Sequence, residues 1–132
     1  MKKILVPLFS LIMSFNAYGE WMFVAKGEPS NNNVHTHYVD FDSVKVNGNV
    51  YHWELIDYLK PNPWGDLSAK IFNEIDCNIP RKRRMLSQLY YTQPMGEGST
   101  STTNNKLYKW DYLVADSIGE EASNRVCAYA NQ

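Results

Sequence analysis

Three histidines are placed where they could share a metal ion. His35 and His37 are two residues apart, so on a strand they project from the same face, and His52 would lie opposite them if the next strand has a suitable register. Three imidazoles are enough for zinc. No Cys-x-x-Cys or His-Glu-x-x-His spacing accompanies them, so the sequence reads as a polar sheet face, with no metal or other cofactor expected. The sharpest charge feature is Arg81-Lys82-Arg83-Arg84, following Pro80. Guanidinium groups grip anionic oxygens in pairs, and charges at a hairpin end also discourage strands from pairing edge to edge. Trp64, inside Pro61-Asn62-Pro63-Trp64-Gly65, is either an exposed anchor for a partner or a ring folded back over the sheet. Glu74 and Asp76 share a strand parity, which is ordinary for an outward sheet face. There is no Gly-x-Ser-x-Gly elbow and no phosphate-cradling glycine loop, so no catalytic residue is assigned.

Cysteine supplies the strongest constraint. Lys2 and Lys3, the apolar stretch Ile4 to Met13, and Ala17-Tyr18-Gly19 read as a signal peptide over residues 1–19, with the mature chain starting at Glu20. In an oxidising compartment, the two cysteines, Cys77 and Cys127, read as one disulfide. Closing a loop of about 50 residues contributes roughly 4 kcal/mol in the chain-entropy picture. The leader carries two of the 13 basic residues and none of the 14 acidic ones, leaving 113 residues with a net charge of −3. That size suits one domain, residues 20–132, and the charge argues against nucleic acid as a partner. No later segment approaches the apolar length of a membrane span. The leader has no cysteine for a lipid anchor, so periplasmic, surface and released forms are all expected locations.

Strands must position these residues. Aromatics make up 14% of the chain and apolar positions mostly recur with period two. The expected strands are Trp21 to Lys26, with Trp21, Phe23 and Ala25 on one face; Val34 to Phe41; a short Ser43 to Val46; Val50 to Lys60; Ala69 to Cys77; and Arg83 to Gln93. Asn47-Gly48 suggests a type I′ hairpin. Within Val50 to Lys60 the apolar parity switches from Leu55 to Ile56, which implies a bulge or burial on both faces. Residues 94–106 lack apolar periodicity and read as a mobile loop. Ser117-Ile118-Gly119-Glu120 fits a capping box opening a helix from Ile118 to Ala130, with Ile118, Ala122, Val126 and Tyr129 in one stripe and Cys127 at its border. Trp21, Trp53 and Trp110 read as core or sheet-packing residues. The fold class is α+β: a meandering antiparallel sheet of about six strands, one face covered by a C-terminal helix tied to the sheet by the disulfide.

The order Trp21, Tyr38-Val39-Asp40-Phe41-Asp42-Ser43-Val44, Val50-Tyr51-His52-Trp53, Asp57-Tyr58, Glu74-Ile75-Asp76-Cys77, Tyr90-Tyr91, Trp110 and Cys127 resembles the surface-adhesin protein E family of small exported bacterial proteins. The resemblance covers almost the whole mature chain and implies the same sheet with a disulfide-tethered helix. It also implies a non-enzymatic role at the cell surface, binding host extracellular-matrix or plasma proteins, with homodimer formation among the family's habits. The expected function is therefore an exported binding module contacting a protein partner through Trp64, Arg81, Lys82, Arg83 and Arg84. The alternative from another class is a periplasmic structural or inhibitor protein that binds another envelope component. A small ligand site under the helix would require an open apolar pocket. Mass spectrometry of the unreduced exported protein should find an N-terminus at Glu20 and no free thiol; two titratable thiols or a retained leader would reverse this reading.

Overall fold

A computed structural model describes residues 20–30 and 32–131, so the expected leader lies outside the described residues. The chain forms β1 (Trp21–Ser30), β2 (Asn33–Asn47), β3 (Asn49–Tyr58), β4 (Ser68–Asp76), β5 (Lys82–Tyr91), β6 (Thr100–Asn104), β7 (Asp111–Tyr112) and α1 (Ile118–Ala130). Strands β1 to β6 pair antiparallel in sequence order, and the two-residue β7 joins the outer edge of β5 beyond β6. The six-strand meander with one C-terminal helix is the architecture expected from the sequence.

Strand parity decides what each face carries. β3 and β4 pair without a register shift from Val50↔Ile75 to Asp57↔Ser68. Val50, His52, Glu54 and Ile56 therefore share one face with Ile75, Asn73, Ile71 and Ala69, while Tyr51 and Trp53 share the other with Glu74, Phe72 and Lys70. Helix α1 lies on the first face over β1, β2 and the near end of β3. Beneath it Val24, Ala25, Val39, Val50, Ile75, Ala122, Val126 and Cys127 form the buried core. Gly27 lets the helix start approach, because a Cβ there would meet Ile118 at 2.9 Å.

Several local expectations change. The shift at Leu55–Ile56 is burial on both faces rather than a bulge: Leu55 is fully buried on the uncovered face against the turn Pro94–Gly96. A bulge occurs instead in β1 between Phe23 and Ala25, burying Val24 and Ala25 together and leaving Phe23 exposed, so Trp21, Phe23 and Ala25 do not share a face. β2 is one continuous strand whose register with β3 slips between Asp40 and Lys45. The following turn pairs Asn47 with Asn49 around Gly48 (φ +73°); only Gly48 has positive φ, so it is not a type I′ turn.

Residues 94–106 are structured rather than a bare loop. The Met95 N–H donates to Asp57 Oδ1 (2.8 Å) and the Gly96 N–H to Ser68 Oγ (2.8 Å). Thr100–Asn104 pairs with β5 as an exposed edge strand. An edge strand exposed on both sides needs no apolar periodicity, only β-branched residues and a neighbour with open backbone groups.

Ser117 Oγ caps α1 by accepting from the Glu120 N–H (3.1 Å), while the Glu120 carboxylate accepts from the Asp116 N–H (3.1 Å) rather than from the capping residue. Ala122, Ser123, Val126 and Cys127 are the buried helix residues, which moves Cys127 into the buried stripe and Tyr129 to its rim against Phe41. Cys127 is bonded to Cys77, with the two Cα atoms 5.8 Å apart. Cys127→Ser should lower stability by about 2–5 kcal/mol in urea unfolding. Ser68→Ala, which strands the Gly96 N–H and the Gln93 carbonyl (2.6 Å), should cost about 1–3 kcal/mol.

Candidate binding surface

Trp64 projects from a rigid loop. The Asn62 side-chain oxygen accepts from the Trp64 N–H (3.0 Å) and the Asp66 N–H (2.8 Å), and the Gly65 N–H donates to the Asn62 carbonyl (2.9 Å). Buried Asp66 is held in turn by Ser101 of β6. On this base the indole is 83% exposed, so it does not fold back over the sheet.

The cationic run sits at the far end of β4, whose nine residues span about 27 Å at the usual strand rise, so it does not converge with Trp64. Alternation splits it between faces. Arg81 donates through Nε to the Cys77 carbonyl (3.1 Å) and through Nη1 to Asn124 of α1. Arg83 Nη1 lies 3.9 Å from Glu54 Oε2 on the helix face. On the opposite face Arg84 Nε donates to Glu74 Oε1 (2.7 Å), and Lys82 and Arg84 lie over the Trp110 ring at 5.2 and 4.5 Å. Trp110 thus packs under cations at the sheet edge, and Trp21 and Trp53 are half-buried; none of the three is in the core.

Glu74 is not a solvated outward acid: it is 4% exposed and accepts from Asn49 Nδ2 (2.8 Å) and the Tyr51 hydroxyl (2.9 Å) as well as from Arg84. Burial pushes its carboxyl upward, and those hydrogen bonds together with the Arg84 charge outweigh it and hold it below the usual range.

The helix face carries a buried polar layer that the sequence did not announce. Glu54 accepts from His37 Nδ1 (3.2 Å) and Asn73 Nδ2 (3.3 Å). Burial favours the neutral acid, but the His37 hydrogen bond and charge, followed by the Arg83 charge, lower Glu54 to about 2. His52, 1% exposed beside it, is lowered to about 4, mainly by burial. Gln88 is fully buried in the same layer. His35 instead lies against the Tyr58 ring, with centroids 4.7 Å apart and planes tilted by 56°. The register sets His52 away from the His35–His37 pair, and among the described residues no group of three or more His, Cys, Asp or Glu is placed to hold a metal.

Two concavities flank the sheet. Beside the helix start, a cleft of about 930 Å³ is lined by Ile56, Arg83, Tyr108, Leu113 and Ile118 together with His37. It adjoins α1 rather than lying under it, where core side chains pack. On the uncovered face a trough of about 690 Å³ runs over Tyr51, Trp53 and Phe72, between Trp21, Asp40, Asp42, Ser43 and Lys45 on one side and Lys70, Leu89 and Tyr91 on the other. Its signal in the sequence was the aromatic parity of β3 and β4, opposite to Val50 and Ile75. Among the described residues no helix is long and apolar enough to cross a membrane.

A family model described as surface-adhesin protein E matches residues 21–128. No curated protein and no solved structure matches the chain.

The buried layer predicts a two-stage loss of stability in acid. His52 binds its proton near 6.5 when unfolded but only near 4 when folded, so falling pH favours the unfolded chain across that interval. The loss should be on the order of 3 kcal/mol. Glu54, depressed from 4.5 to about 2, contributes stability that is complete above 4.5 and disappears as pH falls toward 2. Urea midpoints measured against pH should show both stages, and His52→Gln should remove most of the upper one, the rest belonging to His35, which burial and the nearby His37 also lower; a flat wild-type profile from neutrality to pH 4.5 would contradict a neutral, buried His52.

Proposed function

This chain belongs to the surface-adhesin protein E family, and on that footing we propose that it is an exported, non-enzymatic module that binds a protein partner, with host extracellular-matrix or plasma proteins as the class the family points to. The observation that carries the reading is Trp64, a large aromatic held outward on a hydrogen-bonded loop where a mobile or collapsed ring would serve no partner. Such a ring loses little conformational entropy on binding, which is what makes preorganised aromatics effective anchors. The proposed second contact is the cationic end of β5, Arg81 to Arg84. Arg83 and Arg84 also neutralise buried carboxylates, so Arg81 and Lys82 are the members to test for binding. The terminal position of β1 in the sheet makes pairing of two β1 edges the proposed form of a homodimer.

Capture of matrix and plasma proteins by the exported protein should drop about tenfold or more with Trp64→Ala, with little dependence on salt. The pair Arg81→Gln and Lys82→Gln should weaken capture more at low than at high ionic strength, since exposed charges are screened over about 8 Å at physiological salt. Trp64→Ala should change stability by no more than about 0.5 kcal/mol in urea unfolding, whereas the Arg81 and Lys82 pair, which gives up the Arg81 bonds to Cys77 and Asn124 and the Lys82 contact with Trp110, should lose about 1–2 kcal/mol and still fold. Fractionation places the partner: protein confined to the periplasm, captured only by another envelope component, would replace the adhesin reading with the structural or inhibitor one.

A further inference from the structure

We propose that the trough on the uncovered sheet face binds a short, uncharged oligosaccharide, a ligand class distinct from the protein partner; the inference rests on reading the chain as a binding module and adds a second site to it. The trough floor is a row of three aromatic rings packed against one another. Trp53 and Phe72 are direct cross-strand partners with ring centroids 5.0 Å and planes 38° apart, and Tyr51 continues the row 6.2 Å from Phe72 with the two planes 25° apart. The Tyr51 hydroxyl is tied to Glu74, which fixes that ring. Pyranose rings present a flat face of C–H groups, which carries the small positive charge that the electron-rich face of an aromatic ring attracts.

The walls supply the other half of sugar recognition. The register slip in β2 places Asp40, Asp42, Ser43 and Lys45 along one side. That wall is fixed to the floor: the Asp42 N–H donates to Asp40 Oδ1 (3.0 Å), and Ser43 Oγ donates to the Asp40 carbonyl (2.6 Å) and accepts from the Trp53 N–H (2.9 Å). Lys70 stands on the far side with its ammonium over the Tyr91 ring at 5.0 Å. Along the β2 wall the Asp40 and Asp42 carboxylates only accept and the Lys45 ammonium only donates, whereas a sugar hydroxyl does both and so can bond to either.

Charge and position narrow the ligand. Asp40, Asp42 and Lys45 set both signs of charge side by side along one wall, which favours a neutral ligand over an acidic glycan or a basic peptide. The floor of the trough lies on β3 and β4, each paired on both sides, so an extended peptide cannot add a strand across the aromatic row. A volume of about 690 Å³ falls within the about 300–1,000 Å³ typical of small-ligand sites and suits a few sugar rings rather than a folded domain.

The test is an array of neutral, sialylated and sulfated oligosaccharides probed with the exported protein, followed by tryptophan-fluorescence titration with the neutral oligosaccharides retained. Saturable binding that persists at high salt is expected. Trp53→Ala should weaken it about tenfold or more. Asp42→Asn, at an exposed position, should weaken it severalfold without moving the unfolding midpoint, which covers the case in which Trp53→Ala fails to fold. Retention of no neutral glycan, retention of acidic glycans alone with loss at high salt, wild-type binding by Asp42→Asn and Trp53→Ala, or occupation of the trough by a proline-rich peptide in place of sugar would each overturn the proposal. Protein capture through Trp64 without sugar binding would sink this inference and leave the binding-module reading standing; sugar binding without protein capture would do the reverse.

Discussion

The unshifted pairing of β3 with β4 is the constraint on which the other features depend. With side chains alternating every residue, the register Val50↔Ile75 sends one row of each strand under α1 and the other into the open. A slip of β4 by one residue would bring Phe72 beneath a helix spaced for valine and alanine and would expose Ile75, while Tyr51 and Trp53 stayed outside without their partner. The core is thin, built from small and β-branched residues, because the aromatic residues that a domain of this size would ordinarily bury have been assigned to the outer face. A stable two-faced sheet of this kind needs a second source of cohesion, and the Cys77–Cys127 bond supplies it at the end of β4.

Adjacent arginines solve the same electrostatic problem on both faces. Glu54 and Glu74 are each nearly inaccessible, and a carboxylate in that position is tolerated only with hydrogen bonds and a countercharge. Because Arg83 and Arg84 are consecutive on β5, they point in opposite directions, one toward each acid. What reads in the sequence as a single basic patch is therefore divided between the two sides of the sheet. Trp110 completes the outer half by lying against Lys82 and Arg84, which ties the segment before β7 to the rest of the domain.

The fold was legible wherever parity, turn chemistry or cysteine pairing spoke for themselves. The strand order, the helix from Ile118 to Ala130 and the disulfide could all be read from the chain. Less legible were features set by a partner strand. The β1 bulge that puts Val24 and Ala25 inside together has no mark in Trp21 to Lys26, and Thr100–Asn104 becomes a strand only because β5 offers it an open edge. His52, Glu54, Asn73 and Gln88 look like solvent-facing residues by type; only the parity they share with Val50 and Ile75 places them inside. Of the proposed contact residues, Trp64 could be found from its proline-rich setting, but its separation from the cations depends on the length and direction of β4.

The disulfide also determines how the domain carries mechanical load. A pull on the C-terminus passes from Cys127 straight into Cys77, just past the end of a strand bonded on both sides, so α1 cannot be peeled from the sheet turn by turn. A pull on the start of β1 meets an edge strand hydrogen-bonded to β2 alone and otherwise held by its packing under α1, so its hydrogen bonds can open one after another like a zipper. The molecule is thus mechanically asymmetric: a tether at its C-terminal end would resist flow or traction through a covalent bond, and one at its N-terminal end would yield first.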